Sequence, residues 1–287
     1  MPTKIPYFTG NGMTGELWSV ITGCSGRNCP TRETCWAREM VRRFPTIHGV
    51  RNGVGGSRDV RGYEYLERIP FSKVQFHPDR LDKPFHWRKP RRVGVNFLGD
   101  MFDDQVPFAW VKRVLDKASF PEVEHHQFFF LTKQVKRMRE LVCLWAKEEA
   151  MGEADWKQFI ISNWFFGVSI TSQPDLDRMG SELLRIPGKL WISYEPAMEA
   201  VSFRRLMHPE IEETVGFTTA GDISWLIIGS HNNPRLHPCK LEWVESAVEQ
   251  AKAAGIPVYV KQIHIGGKLV RDIERFPKSV QVREYPE

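Results

Sequence analysis

Short apolar runs alternate with helical patterns along most of the chain, and this alternation constrains the fold more than any other feature. The runs are nearly continuous in Val, Ile, Leu, Phe and Trp and lack the period-two alternation of strands that face solvent on one side. They lie at residues 17–21, 74–76, 93–98, 128–132, 165–170, 190–194, 225–229 and 258–261. Strands of this kind are typical of a parallel sheet covered on both faces.

Helical patterns separate the later runs, at residues 108–118, 134–150, 176–185 and 242–254. The first follows Pro107, which suits a first helical turn, and the last stops at Gly255 and Pro257. Repeated strand–helix units predict an α/β fold, a complete or partial (β/α) TIM-like barrel with mostly parallel strands. A chain of 287 residues fits one such domain, spanning residues 1–287.

Three cysteines, Cys24, Cys29 and Cys35, lie within twelve residues directly after the first apolar run. The chain has five cysteines, and an odd number argues against a disulfide framework. Because Gly, Ser, Arg, Asn and Pro surround the three, they differ from buried core cysteines. Three thiolates can ligate three irons of a four-iron cluster and leave the fourth iron open to a small ligand. A structural zinc ion with His48 as the fourth ligand is the alternative.

Positive charge is concentrated in the first third of the chain. The net charge is +5, yet residues 42–92 contain 13 basic and five acidic side chains. A Gly- and Arg-rich insertion around residues 48–72 reads as a basic loop near the cysteines. Such a surplus favours a nucleic-acid partner, although a solvated basic face is the alternative. The predicted nucleic-acid-binding residues are Arg51, Arg58, Arg61, Arg91 and Arg92.

The chain has no feature of a membrane or secreted protein. It lacks an apolar run of about 18 residues, the length that a membrane span requires. Its first residues lack the apolar core of a signal peptide. We therefore expect a cytoplasmic protein without membrane association.

Several short motifs occur together in a fixed order over nearly the whole chain. They are WSVITGC at residues 18–24, CWA at 35–37, WRKPR at 87–91, NFLGDMF at 96–102, LTK at 131–133, GVS at 167–169, SYEP at 193–196, IIG at 227–229 and VKQ at 260–262. In this combination the chain resembles a phage-associated three-cysteine-motif family related to radical S-adenosylmethionine (SAM) enzymes. In this chain four and five residues separate the cysteines, and Trp36 stands where the family usually has Tyr.

The resemblance implies a barrel of radical SAM type with a [4Fe-4S] cluster on the three cysteines and SAM beside it. It implies an enzyme that forms a 5′-deoxyadenosyl radical and needs an electron donor such as flavodoxin. The implied reaction is the rearrangement, or isomerisation, of an amino-acid-decorated thymidine during hypermodification of phage DNA. The substrate would then be DNA or a modified nucleotide, and a phage-encoded protein would work in the host cytoplasm.

Polar side chains follow the apolar runs, at the end where barrel enzymes hold their active sites. They are Asn96, Asp100, Thr132, Lys133, Ser169, Thr171, Ser193, Glu195, Ser230, Asn232, Lys261 and Gln262. SAM needs acceptors for its ribose hydroxyls and a donor near its carboxylate. Asp100 or Glu195 suits the ribose, and Lys133 or Ser169 suits the carboxylate. Asn96 and Thr132 complete the predicted cofactor-binding set.

The predicted catalytic residues are Lys261 and Glu195. Lys261 ends an apolar strand, where a lysine can serve as a proton donor or acceptor; a lysine at the barrel rim with its ammonium in solvent is the alternative. The competing function is a zinc-stabilised nucleic-acid-binding module without catalysis. Such a module does not need the polar series at the strand ends, which is why the sequence favours the enzyme.

Overall fold

The computed structural model describes residues 3, 5–27, 29–52, 66–149, 161–207 and 221–286. In chain order its strands are β1 (Thr14–Trp18), β2 (Ile21–Thr22), β3 (Val50–Asn52), β4 (Leu66–Arg68), β5 (Gln75–Phe76), β6 (Arg91–Val95), β7 (Gln127–Thr132), β8 (Trp164–Ile170), β9 (Gly188–Tyr194), β10 (Gly221–Gly229), β11 (Val258–Ile265) and β12 (Lys268–Val270). Eight of these described strands form one sheet in the order β1-β6-β7-β8-β9-β10-β11-β12. All neighbours pair in parallel except β11 and β12. The sheet curls into a half-barrel, so the partial form of the predicted barrel is confirmed.

Helices connect the parallel strands of the sheet. They are α1 (Trp36–Arg43), α2 (Phe108–Ala118), α3 (Val135–Glu149), α4 (Gln173–Leu184), α5 (Arg204–Met207) and α6 (Leu241–Ala253). Pro107 precedes α2 as its N-cap. Gly255 adopts a left-handed conformation (φ +69°) just after α6, which is the helix stop that its position predicts. The four predicted helices are confirmed to within a few residues.

The sheet buries a different apolar cluster on each face. On the helical side, Val95, Phe128 and Phe130 belong to the larger core, together with residues of the helices. The other face carries a compact aromatic cluster, consisting of Tyr7, Phe8, Phe129, Phe165, Trp191, Trp225, Ile227 and Tyr259. Because Tyr7 and Phe8 come from the N-terminal segment, that segment fills the inside of the half-barrel. Open space for a ligand is therefore left at the end of the sheet.

Trp191 shows how tightly the inside of the half-barrel is packed. Its indole Nε1 donates hydrogen bonds to the backbone oxygens of Phe130 at 3.0 Å and Phe165 at 3.2 Å. A Cβ atom at Gly167 would lie 2.4 Å from this ring. The glycine of the GVS motif is therefore needed for close packing of a neighbouring strand.

Two predicted elements differ from the structure. The run at 74–76 forms β5, which pairs antiparallel with β2 and not with the main sheet. The run at 17–21 is divided between β1 and β2, since the sheet strand ends at Trp18. The insertion predicted around residues 48–72 is described at residues 48–52 and 66–72, where β3 and β4 pair antiparallel.

No helix in the described part of the chain is both long enough and apolar enough to cross a membrane.

Candidate functional site

The cysteine segment is attached by its backbone to the carboxyl end of β6. Gly23 donates a hydrogen bond to the Leu98 carbonyl at 3.0 Å and accepts one from the Asp100 amide at 3.2 Å. The amide of Cys24 donates to the Phe71 carbonyl at 2.9 Å. Gly23 has a φ of +90°, which favours glycine at this turn. The first cysteine is therefore fixed at the end of the sheet where the polar series begins.

The side chains of Cys24, Cys29 and Cys35 all line one cavity of about 270 Å³. Its other lining residues are Ser25, Gly26, Arg32, Arg38, Pro70, Phe71 and Ser72. A second, more open cavity of about 490 Å³ shares Gly26, Cys29 and Arg32 with the first and reaches Ser172, Asp175 and Arg178 at the start of α4. The cysteine loop therefore faces a cleft that runs along the end of the half-barrel.

The three cysteines share a cavity but are not grouped as a ready metal site. Among the described residues, no three His, Cys, Asp or Glu side chains form a group that could hold a metal ion. A zinc ion needs sulfur and nitrogen ligands about 2.0–2.3 Å from one common point. A four-iron cluster takes one thiolate for each iron that the protein binds. Three cysteines around one cavity supply the number of thiolates that such a cluster needs.

His48 does not extend the cysteine set to four ligands. Its Nδ1 lies 2.7 Å from the Thr22 hydroxyl, and its Nε2 lies 3.1 Å from the Pro70 carbonyl. The side chain is fully buried, and burial lowers its pKa. With both ring nitrogens engaged, His48 supports the backbone next to Cys24 and has no nitrogen free for a metal. This observation weighs against the zinc alternative.

Cys24 is a partly buried thiol. Burial raises its pKa well above the ordinary value, and the nearby carboxylate of Asp100 adds to this effect. Its Sγ accepts a hydrogen bond from the Gly26 amide at 3.2 Å. Binding of a metal to this thiol would therefore release a proton.

Asp100 organises the end of β6 and β7 through its carboxylate. It accepts hydrogen bonds from the Thr132 hydroxyl at 2.8 Å and from the amides of Phe102 at 3.0 Å and Lys133 at 3.2 Å. A carboxylate has about four acceptor positions, and these three donors use most of them. Asp100 and Thr132 therefore position the loop, and Asp100 has little capacity left for a ribose.

Asn96 is another positioning residue. It has a left-handed backbone (φ +57°) and is 2% exposed, and its Oδ1 accepts a hydrogen bond from the Ile21 amide at 2.8 Å. A non-glycine residue in this conformation often marks a functional turn. Here the turn connects β6 to the loop that carries Asp100 and to the strand that leads into Cys24.

Polar contacts continue from β7 to β11 along the same end of the sheet. The Nζ of Lys133 donates to the Ser169 hydroxyl at 2.6 Å, and this hydroxyl donates to the Glu195 carbonyl at 3.2 Å. The Nζ of Lys261 lies 3.2 Å from each carboxylate oxygen of Glu195. The structure therefore brings the predicted cofactor-binding and catalytic residues into one connected series.

Glu195 differs from Asp100 in its partners. Its buried Oε1 lies 3.2 Å from the Lys261 ammonium, its ion-pair partner, and no other described group donates to it. A Cβ atom at Gly229 would lie 2.4 Å from this oxygen, so glycine is required where the carboxylate approaches β10. Because one ammonium is shared by its two oxygens, this carboxylate has acceptor positions left for a ligand donor.

Tyr7 is a site residue that sequence reasoning missed. Its ring centroid lies 5.6 Å from the Nζ of Lys261, and it is 3% exposed. Burial raises the pKa of Tyr7 well above its ordinary value, and the charge of Glu195 contributes. No local pattern signals this role, because Tyr7 reaches the site through folding of the N-terminal segment into the half-barrel.

Two of the predicted nucleic-acid residues, Arg91 and Arg92, lie away from the cysteine segment and already have partners. Arg92 is 1% exposed, bonds to the Gly10 carbonyl at 2.8 Å and stacks on Tyr285 at 4.3 Å. Arg91 is half-buried and forms an ion pair of 3.1 Å with Glu16. Both arginines begin β6, at the opposite end of the sheet from the cysteines, and we do not retain them as nucleic-acid contacts. Arg58 and Arg61 lie outside the described residues, and for Arg51 only the backbone in β3 is described.

Gly99 gives a direct test of how the cysteine loop is held. An added Cβ atom would lie 2.3 Å from the Gly23 carbonyl oxygen and 2.7 Å from its nitrogen. We expect Gly99→Ala to displace the cysteine loop and lower iron incorporation by at least about tenfold, as outer-shell changes at metal sites do. Gly180→Ala is the control, because its Cβ would meet a flexible Leu206 side chain at 3.1 Å. Equal iron content in both variants would show that the close approach of Gly99 to the Gly23 backbone does not matter for iron incorporation.

A comparison with protein-family models identifies the family of this chain. The model described as "Protein of unknown function (DUF5131)" matches residues 9–286. The chain belongs to DUF5131. For this DUF5131 chain, no curated protein and no solved structure gave a match. The match covers the whole half-barrel and the cysteine segment, so both belong to one family unit.

Proposed function

We propose that this DUF5131 protein is a radical SAM enzyme that holds a [4Fe-4S] cluster with Cys24, Cys29 and Cys35. The observation that carries the proposal is the set of three cysteines around one cavity, at the carboxyl end of a parallel half-barrel. The engagement of both His48 nitrogens supports three thiolates in preference to four ligands. The similarity to three-cysteine-motif proteins of phages points in the same direction.

The residues at the strand ends fit the binding of SAM. When bound, the cluster and SAM supply an electron and a radical that removes hydrogen from a substrate. Lys133 has an ammonium group that contacts a neutral hydroxyl in the described structure, so it suits the SAM carboxylate. Glu195 suits a ribose hydroxyl or a substrate donor, because its carboxylate has acceptor positions beyond those that face the Lys261 ammonium. Asp100, Thr132 and Asn96 hold the surrounding loops in position.

Lys261 and Glu195 form the acid–base pair of the proposal. Their charged groups are mostly buried, with side chains 25% and 15% exposed, and they lie 3.2 Å apart. A carboxylate can accept a proton and an ammonium can donate one when a substrate group lies within hydrogen-bond distance of the pair. The buried ring of Tyr7 lies 5.6 Å from the Lys261 Nζ. These residues therefore suit proton movement on a substrate held at the end of the sheet.

For the substrate we propose a base in DNA or a modified nucleotide, such as an amino-acid-decorated thymidine that undergoes rearrangement. In the cleft next to the cysteines, Arg32 suits an anionic substrate, whereas Arg178 already pairs with Asp175 at 2.8 Å. On the surface around α1, Arg38 and Arg42 pair with Glu33 and Glu39, and Arg43 would suit an acidic electron donor such as flavodoxin. On this proposal the protein acts in the cytoplasm, that of the host if a phage encodes it.

Anaerobic reconstitution of the full chain with iron and sulfide tests the proposal. We expect a brown protein with about four irons per chain. Its reduced cluster should give an electron paramagnetic resonance signal that changes when SAM is added, and SAM should be cleaved under reducing conditions. A colourless protein that holds one zinc ion and leaves SAM intact would instead support the zinc-stabilised binding module.

A further inference from the structure

Arg271, directly after β12, lies at the open edge of the half-barrel and is held in a fixed orientation. Its Nε donates to the Gln262 Oε1 at 3.1 Å, and its Nη2 donates to the Asn232 Oδ1 at 3.1 Å. Gln262 pairs with Gly229, the last residue of β10. The guanidinium is therefore located at the carboxyl end of the sheet, on the side of the opening away from β1.

Both amide partners of Arg271 are themselves fixed. Gln262 is 3% exposed, and its Nε2 donates to the Ser230 carbonyl at 2.6 Å and to the Asn232 Oδ1 at 3.1 Å. Because the Asn232 Oδ1 accepts two hydrogen bonds, its amide orientation is defined and its NH₂ group is left as a donor. The network thus holds a guanidinium and an amide donor together before any ligand arrives.

The charge of Arg271 is not neutralised within the described structure. No described carboxylate forms an ion pair with it, and the neighbouring Asp272 accepts a hydrogen bond from the Glu274 amide instead. Arg283 adds a second cation nearby, since it donates to the backbone oxygens of Lys261 at 3.3 Å and Arg271 at 2.8 Å. A fixed arginine that bonds neutral acceptors keeps its affinity for an oxyanion.

We propose that Arg271 and Asn232 form a binding site for a phosphate group of the substrate. The Nη1 of Arg271 has no acceptor among the described residues, so the guanidinium can present two N–H groups to a phosphate in a forked geometry. The choice of a phosphate among oxyanions rests on the proposed function, which names a nucleotide or DNA substrate. The site lies at the same end of the sheet as Glu195 and Lys261, so a phosphate bound there would leave the rest of the substrate at the acid–base pair.

Binding of a fluorescein-labelled DNA oligonucleotide to the full chain tests this site. We expect Arg271→Gln to weaken binding about tenfold, the value of one charge-assisted hydrogen bond. The slope of log affinity against log salt should fall by about one, the change for one lost phosphate contact. Arg271→Lys should keep the salt slope and recover only part of the affinity, because it retains the charge and loses the fork.

Arg275→Gln is the matched control, since Arg275 is an exposed arginine of the same segment without the amide network. We expect less than about a twofold change for this variant. Equal losses of oligonucleotide affinity in Arg271→Gln and Arg275→Gln would mean that both arginines act only by general electrostatic attraction, and this would overturn the site. Unchanged affinity in Arg271→Gln would also overturn it.

Competition with thymidine monophosphate and thymidine separates the two sources of the phosphate. If Arg271→Gln weakens binding of the monophosphate but not of thymidine, the site holds the phosphate of the nucleotide that reacts. If the variant weakens binding of the oligonucleotide alone, the site holds a phosphate of the polymer backbone. These measurements need neither a cluster nor SAM. Binding through Arg271 in a protein that does not cleave SAM would reject the proposed function and keep the phosphate site. If the protein cleaves SAM but its DNA binding does not depend on Arg271, the phosphate site is rejected and the proposed function is kept.

Discussion

Replacement of Cys24, Cys29 or Cys35 by serine is expected to abolish both cluster assembly and reductive cleavage of SAM. Each thiolate would bind a different iron, so the loss of one leaves an iron without its protein ligand. Changes in the outer shell of a metal site already cost about 10–100-fold in affinity or activity, and the loss of a direct ligand should exceed this range. Iron and sulfide content, electron paramagnetic resonance and release of 5′-deoxyadenosine measure the effect.

Cys143→Ser is the control for these variants. Cys143 lies in α3, far along the chain from the cysteine loop, and it is partly buried, which raises its pKa. We expect its serine variant to keep the iron content and the SAM cleavage of the unmodified chain. If each of the three loop variants also retained iron, the cysteines would not be the ligands and the proposed function would fail.

The sheet and its helices were predictable because their signals are local. Buried parallel strands such as β7 and β8 need apolar side chains on both faces, and this need appears directly as the runs at 128–132 and 165–170. Helix ends have similarly local causes, as Pro107 and Gly255 show. The strand β5 was misplaced because a short apolar run does not specify its pairing partner. Its true partner, β2, lies more than 50 residues earlier in the chain.

The polar strand ends were predictable as a group, whereas their individual roles depended on side-chain geometry. Asp100 and Glu195 looked equivalent in the sequence as ribose acceptors. In the structure, the carboxylate of Asp100 accepts hydrogen bonds from three groups of the surrounding loops, whereas that of Glu195 faces the Lys261 ammonium at 3.2 Å. Only the fold determines which backbone amides reach each carboxylate.

Charge was the least reliable guide to function. The count of basic residues includes Arg92, which the fold buries against Gly10 and Tyr285. The same count gives no weight to Arg271. This arginine lies outside the basic stretch at residues 42–92, and its guanidinium bonds only neutral side chains. The number of arginines in a segment therefore says less than whether each guanidinium already has its partners. That information comes from contacts between residues distant in the chain.

Removal of one partner of the Lys261–Glu195 pair is expected to reduce both activity and stability. In Glu195→Gln, the mostly buried ammonium of Lys261 loses its counter-charge. In Lys261→Met, the carboxylate of Glu195 loses its counter-charge in the same way. We expect each change to lower the free energy of unfolding by about 2 kcal/mol, because the partial exposure of the two side chains reduces the larger cost of a fully buried pair. Product formation should fall by at least about 100-fold, the usual contribution of a positioned acid or base.

The double variant Glu195→Gln/Lys261→Met separates the structural role of the pair from its chemical role. Since it leaves no unpaired charge, we expect urea denaturation to show recovery of most of the lost stability. Activity should stay as low as in the single variants, because neither group remains to move a proton. The exposed pair Arg38–Glu33 serves as the control, and its removal should change stability by less than about 0.5 kcal/mol. If the double variant regained activity together with stability, Lys261 and Glu195 would have a purely structural role, and the acid–base step would have to come from other residues at the strand ends.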